Sequence, residues 1–272
     1  SLGAVVVKSL LDAPWPGNPA PRVHETPAGM INSVGLQGPG LEAWARDELP
    51  TLERAGARVV VSIWGRSVDD YARAAARCAQ LPESVVAVEV NVSCPNVEDR
   101  HRMFAHAPAS TREVLEATAA AGRPRWAKLS PNVTDIVEIA AAARDGGAEA
   151  VTLTNTLMGM VIDIDQRRPV LGGGGGGLSG PAMHPVAVRA VHDVHAALRD
   201  LPIIGVGGVA SADQAIEFML AGASAVQVGT ANFADPRSTA TVLADLARWC
   251  DTHRVSRVSD LIGTAHEPRV ET

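Results

Sequence analysis

Residues 134–156 read TDIVEIAAAARDGGAEAVTLTNT, and the fold is decided in that stretch. Ile136, Ile139, Ala140 and Ala143 recur at i, i+3, i+4 and i+7, one face of a helix predicted over 134–144. Gly147-Ala148 follows, and glycine there tolerates the left-handed conformation that ends a helix. A short β-branched run over 150–154 comes next and ends in the polar pair Asn155-Thr156.

The same unit recurs outward in both directions. Runs at 4–7, 58–63, 85–92, 126–129, 202–206 and 225–228 predict further strands, each buried on both faces. Ala-rich amphipathic stretches predict helices over 41–54, 68–80, 111–121, 185–198, 212–220 and 238–250. The Gly-Ala junction returns at Gly3-Ala4, Gly56-Ala57 and Gly222-Ala223, and Ser110 with Glu113 and Ser211 with Gln214 have capping-box spacing. Alternating β and α elements imply a parallel sheet. A chain of 272 residues suits a single domain over 1–272, and a (β/α)8 barrel needs about 250 residues. Seven strands are countable, and Gly3-Ala4 already enters one. The expectation is therefore an N-terminally truncated barrel lacking its first strand, roughly one 30-residue βα unit. An open doubly wound sheet would also hold seven strands.

Composition narrows the function classes. Apolar residues make up 46% and charged residues 20%, enough for a sizeable core, while aromatics reach only 3%. Net charge is −6 with no Lys/Arg run, which argues against nucleic acid as a partner. No apolar stretch reaches the ~18 residues of a membrane span. Three cysteines form neither a disulfide framework nor a zinc pattern, which suits a reducing, cytoplasmic setting, and no metal site is expected.

Of 24 basic residues only two are lysines, Lys8 and Lys128, and both fall at the C-terminal ends of predicted strands. A barrel places its catalytic groups there. Gly205-Val206-Gly207-Gly208-Val209 leads into a helix capped by Ser211, and Gly229-Thr230 ends the last strand. Glycine N–H groups so placed suit a phosphate-bearing ligand. Cys78 and Cys250 fall in helices and read as core, whereas Cys94 lies in a polar setting between Asn91 and Asn96, where a thiolate can act as nucleophile or base. His192 and His195 read as the solvent face of a helix, and the glycine run 172–177 as a flexible loop.

Together these segments resemble the dihydroorotate dehydrogenase family of FMN barrels. The resemblance is carried by GNP at 17–19 with Pro21-Arg22, GMINSVGLQ at 29–37, NVSCPN at 91–96, KLSPN at 128–132, NTLMG at 155–159, GGLSGP at 176–181 and GTANF at 229–233. It is closest in pattern to the class 1B catalytic subunit. That subunit pairs with an electron-transfer subunit carrying FAD and a [2Fe–2S] cluster, reduces NAD, and forms a heterotetramer built on a homodimer.

The resemblance implies oxidation of dihydroorotate to orotate in pyrimidine biosynthesis, with hydride passing from substrate C6 to FMN N5 and Cys94 as the base at C5. It implies substrate contacts from Lys8, Asn32, Ser33, Val34, Gly35, Leu36, Asn91, Asn96, Asn155 and Thr156. FMN contacts would come from Lys8, Ser9, Ser62, Asn91, Lys128, Thr154 and Gly180, with Gly207, Gly208, Gly229 and Thr230 around its phosphate. Ser62 stands where the family usually has Asn, and residues 97–108 contain no glycine where the family's loop has it. A fumarate-dependent class 1A homodimer, a Schiff-base lyase using Lys128, and a non-catalytic partner-binding barrel are the competing readings.

Overall fold

The computed structural model describes residues 2–93 and 103–267. In chain order the strands are β1 (Val5–Val6), β2 (Val23–Thr26), β3 (Gly29–Asn32), β4 (Val59–Ile63), β5 (Val85–Asn91), β6 (Arg125–Leu129) and β7 (Ala150–Leu153). They continue with β8 (Leu157–Gly159), β9 (Ile162–Asp163), β10 (Arg168–Pro169), β11 (Gly176–Ser179), β12 (Ile203–Val206) and β13 (Ala225–Gln227). The helices are α1 (Leu41–Asp47), α2 (Leu49–Arg54), α3 (Val68–Cys78), α4 (Pro108–Ala117), α5 (Ile136–Asp145), α6 (His184–Ala197), α7 (Ala212–Ala221), α8 (Ala231–Ala234) and α9 (Ser238–His253).

All seven strands expected from the β-branched runs pair in one parallel sheet, in the order β1-β4-β5-β6-β7-β12-β13. Side chains alternate across it. Val59, Val61, Ile63, Val88, Val90, Leu129, Val151 and Leu153 join the main core with helix residues such as Ala74, Val114, Ile139 and Val191. The opposite parity carries Ser62, Glu89, Lys128, Thr152 and Gln227, and those groups meet. Glu89 on β5 accepts hydrogen bonds from Thr152 on β7 and from Gln227 on β13. β5 and β13 stand four positions apart in the sheet, about 19 Å if it were flat. Only a sheet curled around that face brings them into contact. The curl excludes the open doubly wound alternative and agrees with the (β/α)8 class.

Several expectations are corrected. The helix expected over 41–54 is two helices, because Pro50 sits in the first turn of α2, where its missing N–H is tolerated, and could not continue α1. The capping box at Ser110 does not form. Pro108 starts α4 earlier, and the Ser110 hydroxyl donates instead to the carbonyls of Phe104 and Ala107. The box at Ser211 and Gln214 is complete. The outermost strands are not buried on both faces: Val5 is exposed, as is Ala225. Gly3 follows no helix among the described residues. The connections after β1 and β7 carry structure of their own, which overturns the flexible loop expected for the glycine run. They supply β2, β3, β8 and β11, which form a four-stranded antiparallel sheet, and half of the glycine run lies in or beside β11. His192 and His195 do not face solvent freely. His192 stacks on His266 at 3.9 Å between ring centroids, and His195 lies 5.0 Å from the same ring. Among the described residues no helix is long and apolar enough to cross a membrane.

Candidate active site

The C-terminal ends of the parallel strands carry a continuous polar network. Glu89, 1% exposed, is its centre. Its Oε1 accepts from the Ser62 hydroxyl at 3.2 Å and faces Lys128 Nζ at 3.7 Å. Its Oε2 accepts from the Thr152 hydroxyl at 3.0 Å and from Gln227 Nε2 at 3.5 Å. The carboxylate has no proton to give, so it sets the direction of the hydroxyls that lead to it. Ser62 donates to Glu89, Ser9 donates to Ser62 at 2.9 Å, and Asn91 Nδ2 donates to Ser9 at 3.1 Å. Asn155 Nδ2 extends the chain to Asn91 Oδ1 at 3.3 Å. Four predicted site residues (Ser9, Ser62, Asn91 and Asn155) thus belong to one relay. Ser62, the departure from the family's usual Asn, has its hydroxyl committed between Ser9 and Glu89.

Lys128 is half-buried at the end of β6, one position along the sheet from Asn91. Lys8 is exposed beside buried Ser9. Thr154 directly follows β7, and its Oγ1 is buried without a hydrogen-bond partner among the described residues. An unpaired buried hydroxyl costs about 1–3 kcal/mol, which a hydrogen-bonding ligand above the strand ends removes.

The antiparallel sheet lays a second set of predicted residues against this one. Asn32 on β3 pairs with Gly177 on β11 and donates to its carbonyl at 3.3 Å. A Cβ on Gly177 would lie 2.6 Å from Thr156 Cβ, so only glycine lets Asn32 and Thr156 approach from its two sides. Asn132 fixes the 156–158 backbone by donating to the Thr156 carbonyl and accepting from the Met158 N–H. Ser33, Val34 and Gly35 are tied down by Asn18 and Trp15 through their oxygens. The N–H groups of Val34, Gly35 and Leu36 have no backbone acceptor among the described residues.

Where the sequence predicted a phosphate, Gly207 and Gly208 form the turn after β12, and Gly180 packs behind it. The N–H groups of Gly208, Gly229 and Thr230 have no backbone acceptor among the described residues, and Gly229 opens onto free space. Open N–H groups on glycines suit an anion. These groups and the orphan Thr154 hydroxyl fit a phosphorylated flavin.

Cys94 and Asn96 lie outside the described residues, as does the first half, 97–102, of the glycine-free 97–108 segment. Cys78 is fully buried, and burial pushes its thiol up to about 12 against the pull of Arg123, so it stays protonated. Sequence reasoning gave no role to Glu89, Thr152, Gln227, Asn132 or His184. A lone Glu in the β-branched run of β5, two residues before Asn91 and so on the same face, was the available signal.

A family model described as dihydroorotate dehydrogenase matches residues 1–249. The chain is 52% identical over 266 residues to the dihydroorotate dehydrogenase B (NAD(+)), catalytic subunit, of Desulforudis audaxviator, covering 97% of this chain and 86% of that protein. It is 48% identical over 263 residues to the proteins of the same name from Pelobacter propionicus and Alkaliphilus oremlandii, covering 96% of this chain and 86% of each.

Proposed function

The chain belongs to the dihydroorotate dehydrogenase family, and from that premise we propose that it oxidises dihydroorotate to orotate in pyrimidine biosynthesis, as an FMN-holding catalytic subunit linked to NAD. The observation that carries the reading is the buried relay from Asn155 through Asn91, Ser9 and Ser62 to Glu89, with the Thr154 hydroxyl beside it left unpaired. A relay of fixed donors facing an orphan hydroxyl suits a flat, polar cofactor laid over the strand ends.

Bound FMN supplies the two-electron acceptor for the C5–C6 bond of the substrate. Ser9, Thr154 and Gly180 would hold its ring system, Lys128 would supply the cation that favours its reduced form, and Gly207, Gly208, Gly229 and Thr230 would hold its phosphate. Asn32, Asn91, Asn155 and Thr156 orient the substrate's ring amides and carboxylate, with Lys8 as the counter-cation. The N–H groups of Val34, Gly35 and Leu36, which lack a backbone acceptor among the described residues, are open to the same small anion, and the resemblance assigns Ser33 and Asn96 to it as well. The Cys94 thiolate removes the C5 proton, as the resemblance implies. Electrons leave through a partner subunit carrying FAD and a [2Fe–2S] cluster, in a heterotetramer built on a homodimer.

The visible spectrum of the purified protein, recorded anaerobically before and after dihydroorotate, tests this. A flavin band that bleaches on addition is the expected result. A flavin that stays oxidised refutes the substrate, and rapid turnover of the isolated chain with fumarate refutes the NAD-linked assignment.

A further inference from the structure

His184 opens α6 and is 7% exposed, beneath the turn that follows β12. Its Nδ1 lies 2.8 Å from the carbonyl oxygen of Gly207, and its Nε2 lies 2.7 Å from Oε2 of Glu217 on α7. His184 therefore bridges the two elements through its ring, with the Gly207 carbonyl at one nitrogen and the Glu217 carboxylate at the other. Phe218, the neighbour of Glu217 on α7, meets the ring edge-on at 5.1 Å and fixes its plane.

The consequence falls on the turn. In a planar trans peptide the N–H points opposite to the C=O. Anchoring the Gly207 carbonyl on His184 therefore turns the Gly208 N–H away from the ring, and that N–H has no backbone acceptor among the described residues. The turn is also packed into one path. Gly208 has φ +69°, and a Cβ there would lie 2.7 Å from the Gly180 carbonyl and 2.9 Å from His184 Cβ.

Resting on the FMN reading above, we propose that His184, held by Glu217, is the positioning residue of the phosphate site. It anchors the Gly207 carbonyl and so aims the Gly208 N–H out of the turn. The site is thereby selective for a phosphorylated flavin over the same flavin without phosphate.

The test measures FMN and riboflavin binding to the full chain freed of flavin, by quenching of flavin fluorescence. With His184→Leu, which cannot donate to the Gly207 carbonyl, FMN affinity is expected to fall about tenfold, the scale of one lost hydrogen bond, while riboflavin affinity stays within about twofold. His184→Gln restores an N–H donor and is expected to recover most of the FMN affinity. Glu217→Gln, at a half-exposed position that folding tolerates, should lose FMN affinity selectively by about threefold, as a partly solvated charge partner does. Equal losses for both flavins in His184→Leu, or unchanged FMN affinity in both His184→Leu and Glu217→Gln, overturn the proposal. Failure of the unsubstituted protein to bind either flavin overturns the FMN reading and takes this inference with it. Riboflavin binding as tight as FMN binding overturns this inference alone.

Discussion

Glu89 brings a formal charge to a position that is 1% exposed, and its cost is met by three neutral donors and the Lys128 ammonium at 3.7 Å. Removing one member of such a pair leaves the other charge buried without its partner. Lys128→Met is expected to lower the unfolding free energy of the flavin-free chain by about 3 kcal/mol, near the low end for buried pairs because Lys128 keeps partial contact with solvent. Adding Glu89→Gln should recover part of that loss, giving a coupling of about 1 kcal/mol or more in a double-mutant cycle read by urea unfolding. Strictly additive losses would show that the pair is not coupled. At this scale the sequence was legible where a polar residue broke an apolar run at its end, as at Lys8-Ser9, Lys128 and Asn155-Thr156. It was not legible inside the runs. Glu89, Thr152 and Gln227 each occupy one inward position of a strand, and only the curl of the sheet brings their side chains together.

The elements divide along the same line. The parallel strands were readable because burial on both faces demands β-branched runs, α5 announced itself through its apolar stripe and α7 through its cap at Ser211, while the Asp135 cap of α5 was seen only in the structure. The four-stranded antiparallel sheet has no such signature. Its strands VHET, GMIN, LMG and GGLS are short, three of the four contain glycine, and the β3–β11 pairing joins residues 145 apart in the chain. Yet this sheet sets Asn32 against Thr156, with Gly177 between them. Gly177→Ala pushes a methyl group into Thr156 and separates the two. Displacement by a fraction of an ångström at a positioning group costs on the order of tenfold or more. The expected result is a KM for dihydroorotate raised by about that factor, with flavin content per chain unchanged. A loss of flavin with unchanged KM would mean that β11 supports the cofactor rather than the substrate.

At the scale of the molecule, the alternation of strands and helices carried the barrel class, but not the way its last helices are tied together. Ala212, Ile216, Met219, Leu246, Cys250 and Leu261 form a second apolar cluster apart from the main core, joining α7 and α9 to the turn at Val258–Leu261. His195 on α6 stands beside it, near His266, whose Nε2 meets the Ala221 carbonyl at the end of α7. Burial, and then the neighbouring His266, Arg199 and His192, push the His195 pKa below its ordinary 6.5. The unfolded chain therefore binds this proton at a pH where the folded chain does not. Stability from this group is complete above pH 6.5 and declines as the pH falls through the window just below it. Calorimetric melting between pH 7.5 and 5.5 is expected to show a falling Tm, and His195→Asn should make that fall shallower by removing the group responsible. Parallel pH profiles for the two proteins would mean that the histidine cluster packs these helices without linking their stability to protonation.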